Sequence, residues 1–225
     1  MKKDLNWWCD RAWIIFGCWI TALMTALIMI FWNSWSAELK VIAAIAALIP
    51  IHVVEEWVFP GGFHFQYNTF LYKSDHPDRY PMCRKSDMIT NLEATFMYMI
   101  LTLITILRGG DVKTGVIMGT IGFCALEIFL HTLFGVMAYF KYRKQGKQTI
   151  YGPGSITAYL GFGVFGIILC YGMQGRTITA GDWIICGIIL AIIAFCCILI
   201  PENIIKKKDN DFYFKSNGYY DRFTR

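Results

Sequence analysis

The sequence lacks most of the marks of a soluble domain. Only 16% of its 225 residues are charged, against 56% hydrophobic, and the apolar residues fall in long blocks rather than short strands, which excludes an ordinary soluble fold. It also lacks paired cysteines: the eight at positions 9, 18, 83, 124, 170, 186, 196 and 197 form no CxxC pair and no secreted-domain spacing, so small buried hydrophobes are their expected role. There is no low-complexity tract and no convincing repeat. A net charge of +5 calls for no nucleic-acid partner, because basic loops facing anionic lipid account for it.

What is present is a set of apolar runs each about 20 residues long, the length that crosses a bilayer. Six are expected: 13–31, 39–57, 87–107, 114–140, 155–173 and 181–200. The fold class is therefore an all-α integral membrane bundle of six transmembrane helices, one domain with a tail over 201–225. Lys2 and Lys3 before an apolar run, with Ser34-Trp35-Ser36 after it, resemble a signal peptide, but the run exceeds a usual signal core and reads as a retained first helix.

Orientation follows from Lys and Arg. The segment before the first run, the second and fourth connections and the tail carry 17 of them, while the other connections hold only Lys40, Arg108, Lys113 and Arg176. Both termini are expected on the cytoplasmic side of the cell membrane. Trp7, Trp8 and Trp13 at one end of the first run, with Trp32 and Trp35 at the other, suit interfacial anchoring or packing on neighbours.

Against this background the polar residues inside the runs stand out. Each ionisable group near a helix centre costs roughly 2.5–3.5 kcal/mol on insertion scales, so a cluster implies a ligand, partner or proton in compensation. His52, Glu55 and Glu56 end the second run; Asn91 and Glu93 start the third; Glu127 and His131 lie in the inner half of the fourth; Pro153-Gly154, Ser155 and Thr157 start the fifth. The expected topology brings all of them to one depth. His52 shares a helical face with Glu55 and Glu56, and Glu127 with His131, whereas Asn91 and Glu93, two apart, point roughly 200° away from each other.

Four carboxylates and two imidazoles are the donors with which helix bundles hold two iron or manganese ions, although such bundles carry Glu-x-x-His pairs and this chain does not. No Lys or Arg lies close to the glutamates within the runs, so divalent metal, one or two ions of Fe, Mn or Zn, or protons must balance them. The candidate ligands are His52, Glu55, Glu56, Glu93, Glu127 and His131, with Glu56 or Glu55 as the catalytic carboxylate. Asn91, His64, Ser155 and Thr157 are candidates for orienting the ligands or a substrate. Pro50, one turn before His52, is expected to free backbone carbonyls that could join the site. The 57–86 connection, with Phe59-Pro60-Gly61-Gly62-Phe63, His64 and His76, reads as an interfacial loop or as a lid over the site.

The combination of His52-x-x-Glu55-Glu56, Asn91 with Glu93, Glu127-x-x-x-His131, Tyr151-Gly-Pro153-Gly154 and Thr157-Ala158 resembles the HXXEE-motif family of bacterial multi-pass membrane proteins, over about residues 45–170. That family has no known function, so the resemblance implies a shared intramembrane site and no reaction. Gly152 departs from the polar residue expected before Pro-Gly.

The functional expectation is a membrane-embedded metal-dependent enzyme, a hydrolase or di-metal oxidoreductase, acting on a hydrophobic or lipid-linked substrate and otherwise surrounded by membrane lipids. The alternatives are a metal-free isomerase-type proton shuttle and a proton- or cation-coupled transporter whose path Thr21, Thr25, Thr102 and Thr105 would line. A purely structural hydrogen-bond network is the remaining reading.

Overall fold

A computed structural model describes residues 2–224, without the side chains of residues 2–4. Met1 and Arg225, the latter counted in the basic tail, lie outside the described residues. All regular structure among the described residues is helical. Six helices are long and apolar enough to cross a membrane: α1 Leu5–Ile30, α2 Ala37–Trp57, α3 Arg84–Leu107, α4 Thr114–Gln145, α5 Ser155–Gly172 and α6 Ala180–Ile205. The expected runs are all there. α1 starts eight residues earlier because its first turns pack on α3 and the tail rather than fraying in solvent.

Local chemistry sets the helix starts. Ser36 Oγ accepts from Leu39 N at 3.2 Å and begins α2. Thr179 and Asp182 bond reciprocally across the first turn of α6. α5 begins after Gly154, whose φ of +87° is a left-handed conformation suited to glycine.

α2 is the central helix: 67% of its apolar window is buried, against 22–33% in the other five. It packs on α1, α3 and α5 along its length, while α4 packs on α5 and α6. Leu39, Ile42, Ile45, Ala46 and Ile49 of α2 meet Tyr98, Ile117, Phe123, Phe162 and Leu169 in one core. Gly17 of α1 allows close approach to Pro50, and Thr21 Oγ1 donates to Ala47 O at 2.8 Å. One carbonyl of the proline-disturbed turn is therefore served from α1.

The motif end of the bundle carries a second core. The helical turns over 63–71, the end of α4 and the tail bury Phe65, Phe70, Phe134, Tyr142, Tyr220 and Phe223 together. Asn68 ties this loop to itself, donating to Pro77 O and Met82 O at 2.9 Å and accepting from Met82 N at 3.0 Å. The 57–86 connection is thus packed against the bundle and the tail. Trp13 is buried edge-on against Trp57 and is a core residue, whereas Trp7 and Trp32 are exposed, as interfacial anchors are. The eight cysteines are free, and Cys9, Cys83, Cys124, Cys186 and Cys197 are buried.

Candidate metal centre

The motif end of α2 turns its polar face toward α4 and the start of α5. His52 Nε2 lies 3.3 Å from Glu56 Oε1, one helical turn away, and 3.5 Å from Glu127 Oε2 on α4. His131 Nε2 lies 3.5 Å from Glu56 Oε1, 3.6 Å from Glu127 Oε2 and 3.2 Å from His52 Nε2. Each imidazole therefore faces both carboxylates, and the two imidazoles face each other. His52, Glu56 and His131 are buried, while the Glu127 side chain keeps 19% of its surface accessible and is the one opening of the group.

The triangle of His52 Nε2, His131 Nε2 and Glu56 Oε1 can be tested against an ion. Four tetrahedral donors at 2.0–2.1 Å from a metal stand about 3.3 Å apart, whereas neighbouring octahedral donors at that bond length stand about 2.9 Å apart. The observed edges are 3.2, 3.3 and 3.5 Å. These three residues could hold a metal ion. Imidazole and carboxylate without thiolate suit zinc, iron or manganese.

The walls are close. A Cβ on Gly154 would lie 2.2 Å from His131 Cε1 and 2.9 Å from His52 Cε1, so a side chain there would occupy the space of the imidazoles. Phe162 stands edge-on to His52 with ring centroids 5.3 Å apart, and Phe63 packs on His131 at 5.4 Å. Phe162 falls within an i→i+5 turn over Ala158–Gly163, a local widening that recurs near functional sites.

Glu55 is turned elsewhere. Its Oε1 accepts from Ile156 N at 3.0 Å and Tyr151 Oη at 3.2 Å, and its Oε2 from Thr157 N at 2.9 Å and Thr157 Oγ1 at 2.6 Å. It is a carboxylate set on the N-terminus of α5, where unpaired N–H groups favour negative charge. Ser155 is buried and accepts from Gly152 N at 3.1 Å, closing the turn before α5. At Gly152 a Cβ would lie 2.7 Å from Gln66 Oε1, so the loop glutamine fills the place where a polar side chain was expected.

α3 contributes a different residue from the one expected. Glu93 is exposed, and no hydrogen bond or ion pair joins it to the centre among the described residues. Asn91 donates to Asp87 Oδ1 at 2.8 Å and to Asp87 O at 3.0 Å. Asp87 is 2% exposed, accepts from Trp57 Nε1 at 2.6 Å and lies within electrostatic reach of Glu56 and His52. The sequence signal for Asp87 was its i, i+4 relation to Asn91, masked by its place at the start of the run. His64 is buried, stacked on Phe214 at 3.7 Å, and burial pushes its imidazole down to about 3.

A family model described as a protein of unknown function with HXXEE motif matches residues 42–169. The chain belongs to the HXXEE family. The matched segment holds every residue of the centre, from the middle of α2 to the last turn of α5, and leaves out α1, α6 and the tail. No curated protein and no solved structure matches this HXXEE protein significantly.

Proposed function

We propose that this HXXEE protein is a membrane-embedded, metal-dependent hydrolase with a single-ion centre, acting on a hydrophobic or lipid-linked substrate. The observation that supports this most is the His52, His131 and Glu56 triangle, whose edges suit a tetrahedral ion of the zinc type. A bound ion of that kind supplies Lewis acidity and an activated water near neutral pH. His52, His131 and Glu56 hold it. Glu127, beside both imidazoles and partly accessible, accepts the proton that an attacking water gives up. Phe63 and Phe162 narrow the approach and exclude bulk water, which strengthens every charge interaction inside.

With Glu55 on the α5 terminus and Glu93 on an exposed face, two carboxylates and two imidazoles remain for the centre, which favours one ion over two. The basic segments gather at the motif end, which supports placing that end in the cytoplasm and the substrate's entry in the inner leaflet. One contact supports a second reading. The two Nε2 atoms at 3.2 Å are within hydrogen-bond reach, so without metal they would share a proton, as an isomerase-type shuttle requires.

Elemental analysis of detergent-purified protein separates the two. One zinc or similar ion per chain is expected in the wild type, lost in Glu56→Ala and retained in Glu93→Ala. Metal at background in the wild type, even after reconstitution, would sink the hydrolase reading and promote the proton shuttle.

A further inference from the structure

The two adjacent glutamates of the motif do different work, although they are chemically identical and neighbours in sequence. Glu56 turns into the centre, whereas Glu55 turns to α5 and there meets Thr157, which in turn meets His52. Thr157 Oγ1 lies 2.6 Å from Glu55 Oε2 and 2.7 Å from His52 Nδ1. A hydroxyl owns one proton and two lone pairs, and an ionised carboxylate only accepts.

Both oxygens of Glu55 already accept backbone N–H bonds from the start of α5. The threonine proton therefore goes to Oε2 at 2.6 Å rather than to Gly154 O at 3.2 Å, and Thr157 Oγ1 is left to accept from His52. The only donor it faces there is Nδ1–H. A neutral imidazole carrying its proton on Nδ1 has a bare Nε2.

We infer that Glu55 and Thr157 form a relay that fixes the tautomer of His52, directing its Nε2 lone pair into the centre. Thr157 is a positioning residue that acts through His52. The partner nitrogen of a metal-binding histidine commonly donates to a carboxylate or another acceptor, and losing that partner weakens metal binding about 10–100-fold. The relay also explains why α5 starts where it does. The carboxylate that holds the first N–H groups of α5 holds Thr157 at the reach of His52, so helix position and imidazole protonation are set by one side chain. His131 has no such partner: its buried Nδ1 has no hydrogen bond among the described residues. The two imidazoles are therefore unequal, and His52 is the one whose lone pair is fixed.

The assignment rests on the metal-centre reading for its purpose but not for its geometry, so the two can fail separately. The chain has four histidines, which makes nitrogen-15 labelling of the full-length protein in detergent tractable. In metal-free wild type, at a pH high enough that the ring is neutral, His52 is expected to be protonated at Nδ1 and bare at Nε2. Thr157→Val should lose that preference and bind zinc about 10–100-fold more weakly, and Thr157→Ser should restore both. A wild-type His52 protonated at Nε2, or a tautomer unchanged in Thr157→Val, overturns the relay. If Thr157→Val does not fold, the wild-type and Thr157→Ser spectra still decide. If the wild type binds no zinc while the tautomer pattern holds, the metal reading falls and the relay stands.

Discussion

Two polar clusters at opposite ends of the bundle handle charge in opposite ways. At the end away from the motif, Arg176 pairs with Glu38 at 3.1 Å and donates to Gly172 O and Val112 O, so charge is cancelled where it arises. Hydroxyls along the same half are satisfied by their own helices: Thr95, Thr102, Thr105 and Thr120 each donate to the carbonyl four residues back. At the motif end, Glu55, Glu56, Asp87 and Glu127 have no Lys or Arg ion pair among the described residues, and two imidazoles stand between Glu56 and Glu127. One end is complete as it stands. The other could take a cation or a proton.

The sharpest way to break this contrast is to fill the centre. Gly154→Val should expel the imidazoles, because the added Cβ alone falls 2.2 Å from His131 Cε1. Destabilisation of several kcal/mol and loss of bound metal are expected, read by thermal unfolding in detergent and by metal content. A variant that retains metal at wild-type melting temperature would show that the centre does not sit where we place it.

Asp87→Ala tests whether the third helix is part of the same polar system. It leaves Trp57 Nε1 and Asn91 Nδ2 without their carboxylate and should cost about 1–3 kcal/mol. Glu93→Ala, on the exposed face of the same helix, should change stability by less than about 0.5 kcal/mol. Equal effects of the two would mean that α3 is turned differently from this arrangement.

Acid gives a graded test of the cap over the centre. His64 is held neutral in the fold by burial, with its imidazole at about 3 against an ordinary value of 6.5. The unfolded chain binds a proton that the folded chain does not, so stability falls as pH drops below about 6.5, by roughly 1.4 kcal/mol per unit, until about 3. His64→Phe should flatten that slope in melting temperature against pH. An unchanged slope would assign the acid sensitivity to other groups. A small effect is also expected at the far end, where Glu38→Gln should cost no more than about 1 kcal/mol and leave metal binding intact, measured in the same assays.

Much of this was legible in the sequence. Span length and the absence of charge located all six helices, because a bilayer imposes one length on every crossing segment. His52, Glu56, Glu127 and His131 were legible because i, i+4 pairs on two helices at one depth have few ways to miss each other. The spacing of Asn91 and Glu93 also said that they cannot share a face, and α3 turns Asn91 inward. The division between Glu55 and Glu56 was not legible, since it depends on where the N-terminus of α5 lies, which no local pattern gives. Nor was the tail: its aromatic residues carry no period, and they fold against the 57–86 connection, α3 and α4.

Just beyond the motif helix the tail crosses the chain backbone to backbone, beside the side-chain contact of Phe214 with Trp57. A Cβ on Gly62 would lie 2.2 Å from Asn217 O and one on Gly218 2.4 Å from Gly61 C, while Tyr219 N donates to Gly61 O at 3.0 Å. Two strands of chain cross there with no room between them, a few residues beyond Glu56. In mechanical terms the crossing is a joint that bears load. A pull on the tail, whether from a fusion partner or an affinity tag, reaches the last turn of α2 without passing through any side chain that could yield. The tail is thus a handle on the centre, and anything attached to it should leave from beyond Phe223 on a slack linker.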